Sequence, residues 1–387
     1  MKRSLAAVAA ATLSLSLLAG CGGGSSSSDS DSVKIGVNYE LSGNVATYGD
    51  ASVKGVELAV EELNAAGGIN GKPIEIVKYD TKSEPAEATT LATKLMTQDD
   101  VITVIGPATS GSFKATIPVA NQNKIPVVSG SATAEDVTVS NGKVQEYAFR
   151  TCFSDSFQGT AMASFAAAQL GAKTAVIIKD TSSDYAKGLA ENFAAKFQSE
   201  GGTIVSEEGY VAGDTDFQAI LTRIKSQSFD AIYLPGYYNE VGLIIKQARE
   251  LGITAPILGG DGYESPTLLQ LGGASALNDV YYTNHYSPLD SDNAKVTDFI
   301  AAFKAKYNEE PSAFSALGYD TAYFVADAIE RAGDQPTGES VKDAMASTVD
   351  FEGVTGTFSI DANHDPDKSA LVIGLTNGVP TSAVPAA

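Results

Sequence analysis

"VKIGVNYELSGNVATYGDASVKGVELAVEELNAAGGINGKPIEIVKYD", residues 33–80, carries the pattern that decides the fold. It opens with a short β-rich run at Val33–Tyr39. Apolar residues then recur every three or four positions, as on one face of a helix, at Val53, Val56, Val60 and Leu63. Gly67 and Gly68 end that helix, and a second apolar run follows at Ile74–Tyr79. The stretch therefore predicts a strand, a helix and a second strand.

The same alternation continues to residue 129. The pattern predicts a helix over 84–98, a strand over 101–105, a helix over 112–121 and a strand over 125–129. Strands that alternate with helices at these lengths indicate βαβ units, in which a parallel sheet is covered on both faces. The predicted fold class is therefore α/β.

A second, similar series begins near residue 158. Helices are predicted over 158–170, 185–199, from 216 and over 239–251, and strands over 174–179, 203–208, 230–234 and 256–258. Two successive series of similar order predict two similar lobes. The last section holds predicted helices over 298–307 and 319–332 and β-like segments over 354–360 and 370–376. It is too short for a third domain, so we expect it to complete the two lobes.

Sequence motifs for catalysis or cofactor binding are not found. The chain has no G-x-S-x-G elbow, no phosphate-binding P-loop, no G-x-G-x-x-G fingerprint and no H-E-x-x-H. His285 and His364 lie far apart and have no Cys or His at zinc-site spacing. We expect no metal, no cofactor and no catalysis, although a missing motif does not exclude an enzyme. A formal net charge of −21 at pH 7 disfavours nucleic acid as a partner.

Two loops at the carboxyl ends of predicted strands are rich in small residues and hydroxyls. They are Gly106–Gly111 and Ser129–Thr133, and open α/β sheets bind ligands at such ends. Backbone N–H groups near helix N-termini, together with hydroxyls, suit a ligand carboxylate without any arginine. Ser and Thr also cap helices for structural reasons, so the loops alone leave both interpretations open.

Five segments together make a resemblance specific. They are "YELSGNVATYGD", "GVELAVEELNAAGGINGKPIEIVKYD", "VIGPATSG", "IPVVSGSAT" and "LGGDGY". In this order they resemble the periplasmic-type binding proteins for branched-chain amino acids, which are the extracellular receptors of ABC importers. The resemblance runs from Val33 to about Thr376. It implies the type I periplasmic binding protein fold, in which two Rossmann-like lobes with parallel-type sheets are joined by a three-crossing hinge.

The resemblance also implies domain boundaries and a ligand site in the cleft. The first lobe would comprise residues 33–153 plus 285–357, and the second lobe residues 154–284 plus 358–387. The implied ligand-binding residues are Tyr48, Ser110, Ser131, Thr133, Tyr185, Tyr237, Asp261 and Phe314.

Each of these positions carries an implied role. The hydroxyls of Ser110 and Thr133 match groups that bind the ligand α-carboxylate, and the Ser131 carbonyl matches one that helps to hold the α-ammonium. Asp261 matches the acidic ammonium partner, for which the family carries Glu. The shorter side chain leaves the identity of the ligand open.

The aromatic positions surround the ligand in the implied site. Tyr185 and Tyr237 match tyrosines of the cleft, and Tyr48 and Phe314 match rings near the ligand side chain. Asp155 falls at the first crossing between the lobes, where a hinge or cleft-rim position is expected.

The N-terminus has the layout of an exported lipoprotein. Lys2 and Arg3 precede an apolar run at residues 5–18, and Leu18-Ala19-Gly20-Cys21 resembles a bacterial lipobox. Residues 1–20 are predicted to be a lipoprotein signal peptide, and residues 21–32 a lipidated Cys21 with a flexible Gly/Ser linker. The protein is therefore expected outside the cytoplasmic membrane, anchored by lipid.

Together these features predict an extracytoplasmic receptor of an ABC importer for a branched-chain or similar apolar amino acid. The expected partners are a small amino-acid ligand, an ABC permease and the membrane through the lipid anchor, with no nucleic acid. The chain is expected to be a monomer. Two alternatives are an amide or urea receptor of the same fold and a ligand sensor for a membrane signalling protein.

Overall fold

The computed structural model describes residues 32–290 and 292–386. The predicted signal peptide, the predicted lipidated Cys21 and the predicted linker up to residue 31 lie outside these residues. Among the helices that are described, none is long and apolar enough to cross a membrane.

The first lobe is built on a five-stranded parallel sheet. Its elements in chain order are β1 (Val33–Tyr39), α1 (Ala46–Ala65), β2 (Ile74–Asp80), α2 (Pro85–Thr97), β3 (Thr103–Ile105), α3 (Ser110–Asn123), β4 (Val127–Ser129), a 3-10 turn (Glu135–Val137), β5 (Val139–Ser140), β6 (Lys143–Val144) and β7 (Ala148–Arg150). The order across the sheet is β2-β1-β3-β4-β7, and β5 and β6 form a separate antiparallel pair. β1 is buried along nearly its whole length, because helices cover both faces of the sheet.

Helix α1 buries the residues that its apolar spacing predicts. Val53, Val56 and Val60 lie in the core. After the helix the backbone turns through Gly67 and Gly68, which adopt φ values of 113° and 76°. Residues with side chains rarely adopt such angles, so the two glycines let the chain return directly into β2.

The second lobe repeats the arrangement. Its elements are α4 (Asp155–Ala168), β8 (Thr174–Asp180), α5 (Asp184–Ser199), β9 (Thr203–Tyr210), α6 (Gln218–Lys225), β10 (Ala231–Tyr233), α7 (Tyr238–Glu250), β11 (Ile257–Gly259), a 3-10 turn (Asp261–Tyr263), α8 (Pro266–Gly272) and β12 (Val280–Asn284). Strands β12, β11, β10, β8 and β9 are parallel neighbours in this order. The sequence patterns did not predict β12 or α8.

The last section completes both lobes. It comprises α9 (Ala294–Tyr307), α10 (Ala313–Arg331), α11 (Gly338–Ala346), β13 (Phe351–Gly353), β14 (Gly356–Phe358), β15 (Leu371–Thr376) and β16 (Val379–Pro385). Helix α10 packs on α1, and β15 and β16 join the second sheet antiparallel beside β12. The β-like segment expected over 354–360 contains β14, whereas β13, which pairs antiparallel with β14 in a hairpin, was not predicted.

Helices α1 and α10 approach each other closely because glycine lies at their contact. A methyl group at Gly55 would collide with the carbonyl of Ser315, and one at Gly318 would collide with the carbonyl of Ser52. The close packing brings the start of α1 next to the start of α10. As a result, Tyr48 and Phe314 stack with ring centroids 4.2 Å apart.

The chain passes between the lobes three times, after β7, after β12 and after β14. Side chains tie these crossings together. The buried Arg150 forms an ion pair of 2.7 Å with Asp365, and Lys368 Nζ donates to the carbonyl of Thr151 at 2.9 Å. Cys152 lies at the first crossing and is fully buried. Burial raises the pKa of its thiol to about 12, so Cys152 is a buried apolar group and not a reactive thiolate.

Candidate ligand-binding site

A cavity lies between the lobes, at the carboxyl ends of the strands of both sheets. It is narrow, and the roughly 230 Å³ of space around it that protein atoms leave free includes open solvent. Seven of the eight sequence-predicted binding residues line it, and Ala108, Thr109 and Gly262 complete the wall. The seven are Tyr48, Ser110, Ser131, Tyr185, Tyr237, Asp261 and Phe314. Residues that lie more than 250 positions apart in sequence are therefore brought to one place.

The wall contributed by the first lobe is neutral at its surface. Ser110 is the first residue of α3, and its Oγ accepts a hydrogen bond from the Ala134 N–H at 3.2 Å. Ser131 Oγ donates to the carbonyl of Ala108 at 2.9 Å. These bonds hold the two hydroxyl-rich loops against each other, so both hydroxyls present a fixed oxygen to the cavity.

Glu40, which the sequence reasoning missed, supports this wall from behind. Its carboxylate accepts from the N–H groups of Ala108 and Thr109 at 2.9 and 3.1 Å, and from Thr109 Oγ1 at 2.8 Å. The expectation that the backbone N–H groups of this loop are free for a ligand is therefore wrong for these two amides. Glu40 directly follows β1, so its place at the carboxyl end of a strand was the available signal. Complete burial raises the pKa of Glu40.

The wall contributed by the second lobe carries a buried carboxylate, Asp261. Its Oδ1 accepts from the Tyr185 hydroxyl at 2.8 Å and from Gln158 Nε2 at 3.3 Å. Its Oδ2 lies 3.1 Å from His285 Nε2. Asp261 is only 4% exposed, yet no lysine or arginine is among these partners. Within residues 32–290 and 292–386, its partners are thus a phenol, an amide and an imidazole, and the Asp261 carboxylate is presented to the cavity without an ion pair to lysine or arginine among them.

Gln158 and Asp155 form a second layer beneath Asp261. Gln158 Nε2 also donates to Asp155 Oδ1 at 3.1 Å, and Thr283 Oγ1 donates to Gln158 Oε1 at 2.7 Å. Asp155 is the first residue of α4, beside the first crossing, and is fully buried, and its role at the hinge or cleft rim stays a prediction. Burial raises the pKa of Asp155 well above its usual range.

Thr133 is the predicted binding residue that does not line the cavity. It is fully buried behind the Ser129–Thr133 loop, and its carbonyl accepts from Arg150 Nη1 and from the Asp155 N–H, both at 2.8 Å. Its hydroxyl has no hydrogen-bond partner within the part of the chain that the structure describes. The contact of Thr133 with a ligand stays a prediction.

Aromatic rings form the remaining wall of the cavity. Tyr185 stacks on Tyr237 with centroids 5.1 Å apart, and Tyr48 meets Tyr237 edge-on at 5.7 Å. Phe314 stacks on the other side of Tyr48. The rings come from both lobes, so this apolar wall is complete only when the lobes are together.

The lobes touch each other around the cavity. The Tyr48 hydroxyl donates to the carbonyl of Gly262. The Tyr238 hydroxyl donates to the carbonyl of Asn44 at 3.0 Å, and Lys114 forms an ion pair of 2.7 Å with Asp184. Since each of these bonds joins the first lobe to the second, the structure represents a closed arrangement.

The two histidines do not form a metal site. His364 stacks on Phe149 and its Nδ1 lies 3.0 Å from the carbonyl of Ala148, whereas His285 contacts Asp261. In the described residues, no cluster of three or more His, Cys, Asp or Glu could hold a metal ion.

Comparison with known proteins places the chain in a family. Residues 32–378 match the family described as "Periplasmic binding protein". The Leu/Ile/Val-binding protein homolog 3 of Brucella melitensis is 32% identical over 333 residues, which cover 86% of this chain and 88% of the relative. The leucine-, isoleucine-, valine-, threonine- and alanine-binding protein of Pseudomonas aeruginosa is 30% identical and covers 86% of this chain and 87% of its own.

Solved structures agree with this result. The branched-chain amino acid transporter substrate-binding protein LivJ of Streptococcus pneumoniae, in complex with isoleucine, is 46% identical with a TM-score of 0.86, covering 92% of this chain and 99% of LivJ. The leucine-binding protein LivK of Thermotoga maritima is 37% identical with a TM-score of 0.84, and the match covers 91% of this chain and 98% of LivK. An ABC-transporter solute-binding protein of R. palustris in complex with benzoate is 27% identical with a TM-score of 0.81, covering 92% and 97%. With its two-lobed fold and inter-lobe cavity, the chain belongs to the periplasmic binding protein family.

Proposed function

We propose that this protein is the extracytoplasmic solute receptor of an ABC importer and binds a branched-chain amino acid between its two lobes. Its relatives are named for binding leucine, isoleucine and valine, and the LivJ structure holds isoleucine. The cavity chemistry supports the same ligand class. The observation that carries the proposal is the buried Asp261 carboxylate opposite a wall of neutral hydroxyls.

A zwitterionic amino acid complements these two walls. The ligand ammonium would pair with Asp261, because a desolvated cation requires an anionic partner. The ligand carboxylate would lie against Ser110 on the first lobe, where hydroxyls and helix N–H groups can stabilise an anion. The unpaired hydroxyl of Thr133 is a further donor close to this loop. The carbonyl of Ser131 would be a second acceptor for the ammonium.

The aromatic wall favours an apolar ligand side chain. Tyr48, Phe314 and Tyr237 offer ring faces and edges to the cavity, and an aliphatic side chain would bury apolar surface against them. Because Tyr48 and Tyr237 belong to different lobes, binding would draw the lobes together and exclude water. The closed form would be the one presented to the permease. We therefore propose a binding role for this protein, and not a catalytic one.

The N-terminal segment supports a tethered form of this receptor. A signal peptide at 1–20 would export the chain, and lipidated Cys21 with its linker would hold the receptor at the outer face of the membrane. The receptor would act as a monomer that meets the permease. Replacement of Cys21 by Ser should release the protein from a membrane fraction or leave it unprocessed. Retention of processed C21S after a salt wash would contradict the anchor.

A ligand without an ammonium is the second candidate, because the R. palustris relative is in complex with benzoate. Isothermal titration calorimetry of the folded protein separates the candidates. We expect isoleucine, leucine or valine to bind tightly, and urea, acetamide, benzoate and the 2-oxo acid of isoleucine to bind at least tenfold more weakly. Binding of an amide or of benzoate with higher affinity than every amino acid would contradict the proposal.

A further inference from the structure

His285 lies between the hinge and the cavity. It directly follows β12 at the second crossing and is 5% exposed. Its ring stacks on Phe153 of the first crossing, with centroids 3.6 Å apart and planes 12° apart. Its Nε2 reaches Asp261 Oδ2 at 3.1 Å. The imidazole therefore has a fixed plane and a fixed contact with the carboxylate of the site.

The protonation of the ring follows from its surroundings. Asp261 Oδ2 can only accept a hydrogen bond, so His285 Nε2 is the donor. Burial lowers the pKa of His285, which keeps the ring neutral. Nδ1 then carries no proton, and it has no hydrogen-bond partner in the part of the chain that the structure describes. The ring gives Asp261 one N–H bond and no neutralising charge.

We infer that His285 is a positioning residue for ligand binding: its neutral imidazole holds Asp261 Oδ2 in the orientation that receives the ligand ammonium. This inference rests on the proposed function. Tyr185 and Gln158 bind the other oxygen, Oδ1, so His285 supplies the bond that fixes rotation of the carboxylate. A lysine or arginine at this position would pair with Asp261 and compete with the ligand. A neutral donor orients the carboxylate and leaves its charge for the ligand.

Asp261 and His285 follow neighbouring strands of the same sheet. An aspartate has one fewer methylene than a glutamate, so its carboxylate stays close to the backbone of the 3-10 turn. His285 approaches from β12, the parallel neighbour of β11, the strand that leads into this turn. The contact thus links the carboxylate to a second strand of the same sheet.

A pair of substitutions at His285 tests this role. H285Q keeps an N–H donor near the Nε2 position, whereas H285N places its amide near the Nδ1 position, too short to reach Asp261. We expect H285N to reduce isoleucine affinity about tenfold or more, because a hydrogen bond to a charged group is lost. We expect H285Q to stay within about threefold of the wild type.

A ligand that lacks the ammonium separates positioning from general stability. H285N should change the affinity for 3-methyl-2-oxopentanoate, the 2-oxo acid of isoleucine, by less than about twofold, since Asp261 has no ammonium to bind. His364→Asn is the matched control, because that ring is also buried and also stacks on a phenylalanine but lies away from the cavity. H364N should leave isoleucine affinity unchanged.

Several outcomes would overturn the inference. They are an equal loss for isoleucine and for the oxo acid, an unchanged isoleucine affinity in H285N, or an H285Q variant as weak as H285N. If H285N does not fold, His285→Phe keeps the ring on Phe153 without the donor and answers the same question. The proposed function is judged separately, on wild-type isoleucine binding and its loss in D261N, so the inference can fail while the proposed function stands.

Discussion

Each lobe has a buried carboxylate at the cavity, but the two carboxylates have different hydrogen-bond partners and different roles. On the first lobe, the carboxylate of Glu40 lies behind the wall and is bonded to the loop N–H groups of Ala108 and Thr109. On the second lobe, the carboxylate of Asp261 lines the cavity, and its partners in the described part of the chain are the side chains of Tyr185, Gln158 and His285. Both acids are buried, but Glu40 holds the Gly106–Gly111 loop of the first lobe in place, whereas Asp261 lines the cavity.

This difference shows that burial by itself does not identify a binding carboxylate. Glu40 receives three hydrogen bonds from Ala108 and Thr109, two of them from backbone N–H groups, so its carboxylate is used to hold the loop after β3. Asp261 receives side-chain donors from Tyr185, Gln158 and His285, which lie on three other segments. A carboxylate that is held by neutral donors and lines a cavity is the one suited to bind a cation.

Asp261→Ala should reduce isoleucine affinity more than any other substitution proposed below. It leaves a ligand ammonium without a partner in a desolvated site, which typically costs about 2–5 kcal/mol, or roughly thirtyfold or more in affinity. Calorimetry with isoleucine measures this, and the exposed Asp290→Asn serves as the control. Affinity within about threefold of the wild type would assign Asp261 to turn structure instead.

Glu40→Gln should lower the stability of the fold more than it lowers ligand affinity. In glutamine one acceptor oxygen is replaced by an NH₂ group, which faces the N–H of either Ala108 or Thr109, and an unsatisfied buried polar group costs about 1–3 kcal/mol. We expect a lower free energy of unfolding in a urea titration, with isoleucine affinity reduced by less than about tenfold. If E40Q kept its stability and lost affinity as strongly as D261A, the two walls would not differ in the way described.

The hinge between the walls should respond to alkaline pH through Lys368. Burial lowers the pKa of Lys368 to about 8, below its ordinary 10.5 in the unfolded chain. Between these values the unfolded chain holds the proton and the folded chain releases it, so stability rises with pH. From pH 8 to pH 10 the wild type should gain about 2 kcal/mol relative to K368M. Parallel urea-unfolding curves for the two proteins across this range would contradict a buried, depressed lysine.

Ser110→Ala should weaken ligand binding modestly. One neutral hydroxyl is lost from a wall that keeps other donors, so about 0.5–1.5 kcal/mol, or roughly two- to twelvefold in affinity, is expected. Titration with isoleucine and with valinamide, which lacks the carboxylate, measures the effect. A loss of similar size for valinamide would mean that Ser110 supports the loop and does not contact a carboxylate.

Lys114→Met should produce the smallest change. The Lys114–Asp184 pair joins the lobes at the edge of the cavity, but its side chains are 26% and 41% exposed, so it contributes about 0.2–1 kcal/mol to closure. Isoleucine affinity should fall less than about fivefold, and the difference should vanish at high salt. A large loss that persists at 1 M NaCl would show that the lobes depend on this contact. Lys225→Met is the control, because Lys225 lies at the exposed end of α6.

The sequence by itself determined the two α/β series. Periodic apolar residues such as Val53, Val56 and Val60 indicate which face of a helix is buried, and paired glycines indicate where the helix ends. The patterns missed β12 and α11, since "VYYTN" mixes aromatic and polar residues and α11 begins at a glycine after its Thr337 cap. Such short elements depend on neighbours that supply their packing.

The two hydroxyl-rich loops were also accessible from sequence, because each follows its strand directly. What only the tertiary structure decided is which groups these loops leave available. Glu40 accepts hydrogen bonds from two of their N–H groups, and Thr133 does not line the cavity. Hydrogen bonds between segments far apart in sequence depend on how the sheet aligns the ends of its strands. The spacing of residues within one segment does not predict that alignment.

The surroundings of Asp261, on the wall from the second lobe, were even less predictable from the sequence. The position of Asp261 could be matched by its motif, but its support by Gln158 and His285 comes from α4 and from the end of β12. Local sequence determines helices, strands and turns because backbone propensity and apolar spacing act over a few residues. The charge that a ligand meets is decided by the tertiary structure, because desolvation and hydrogen bonding depend on every segment packed around the carboxylate.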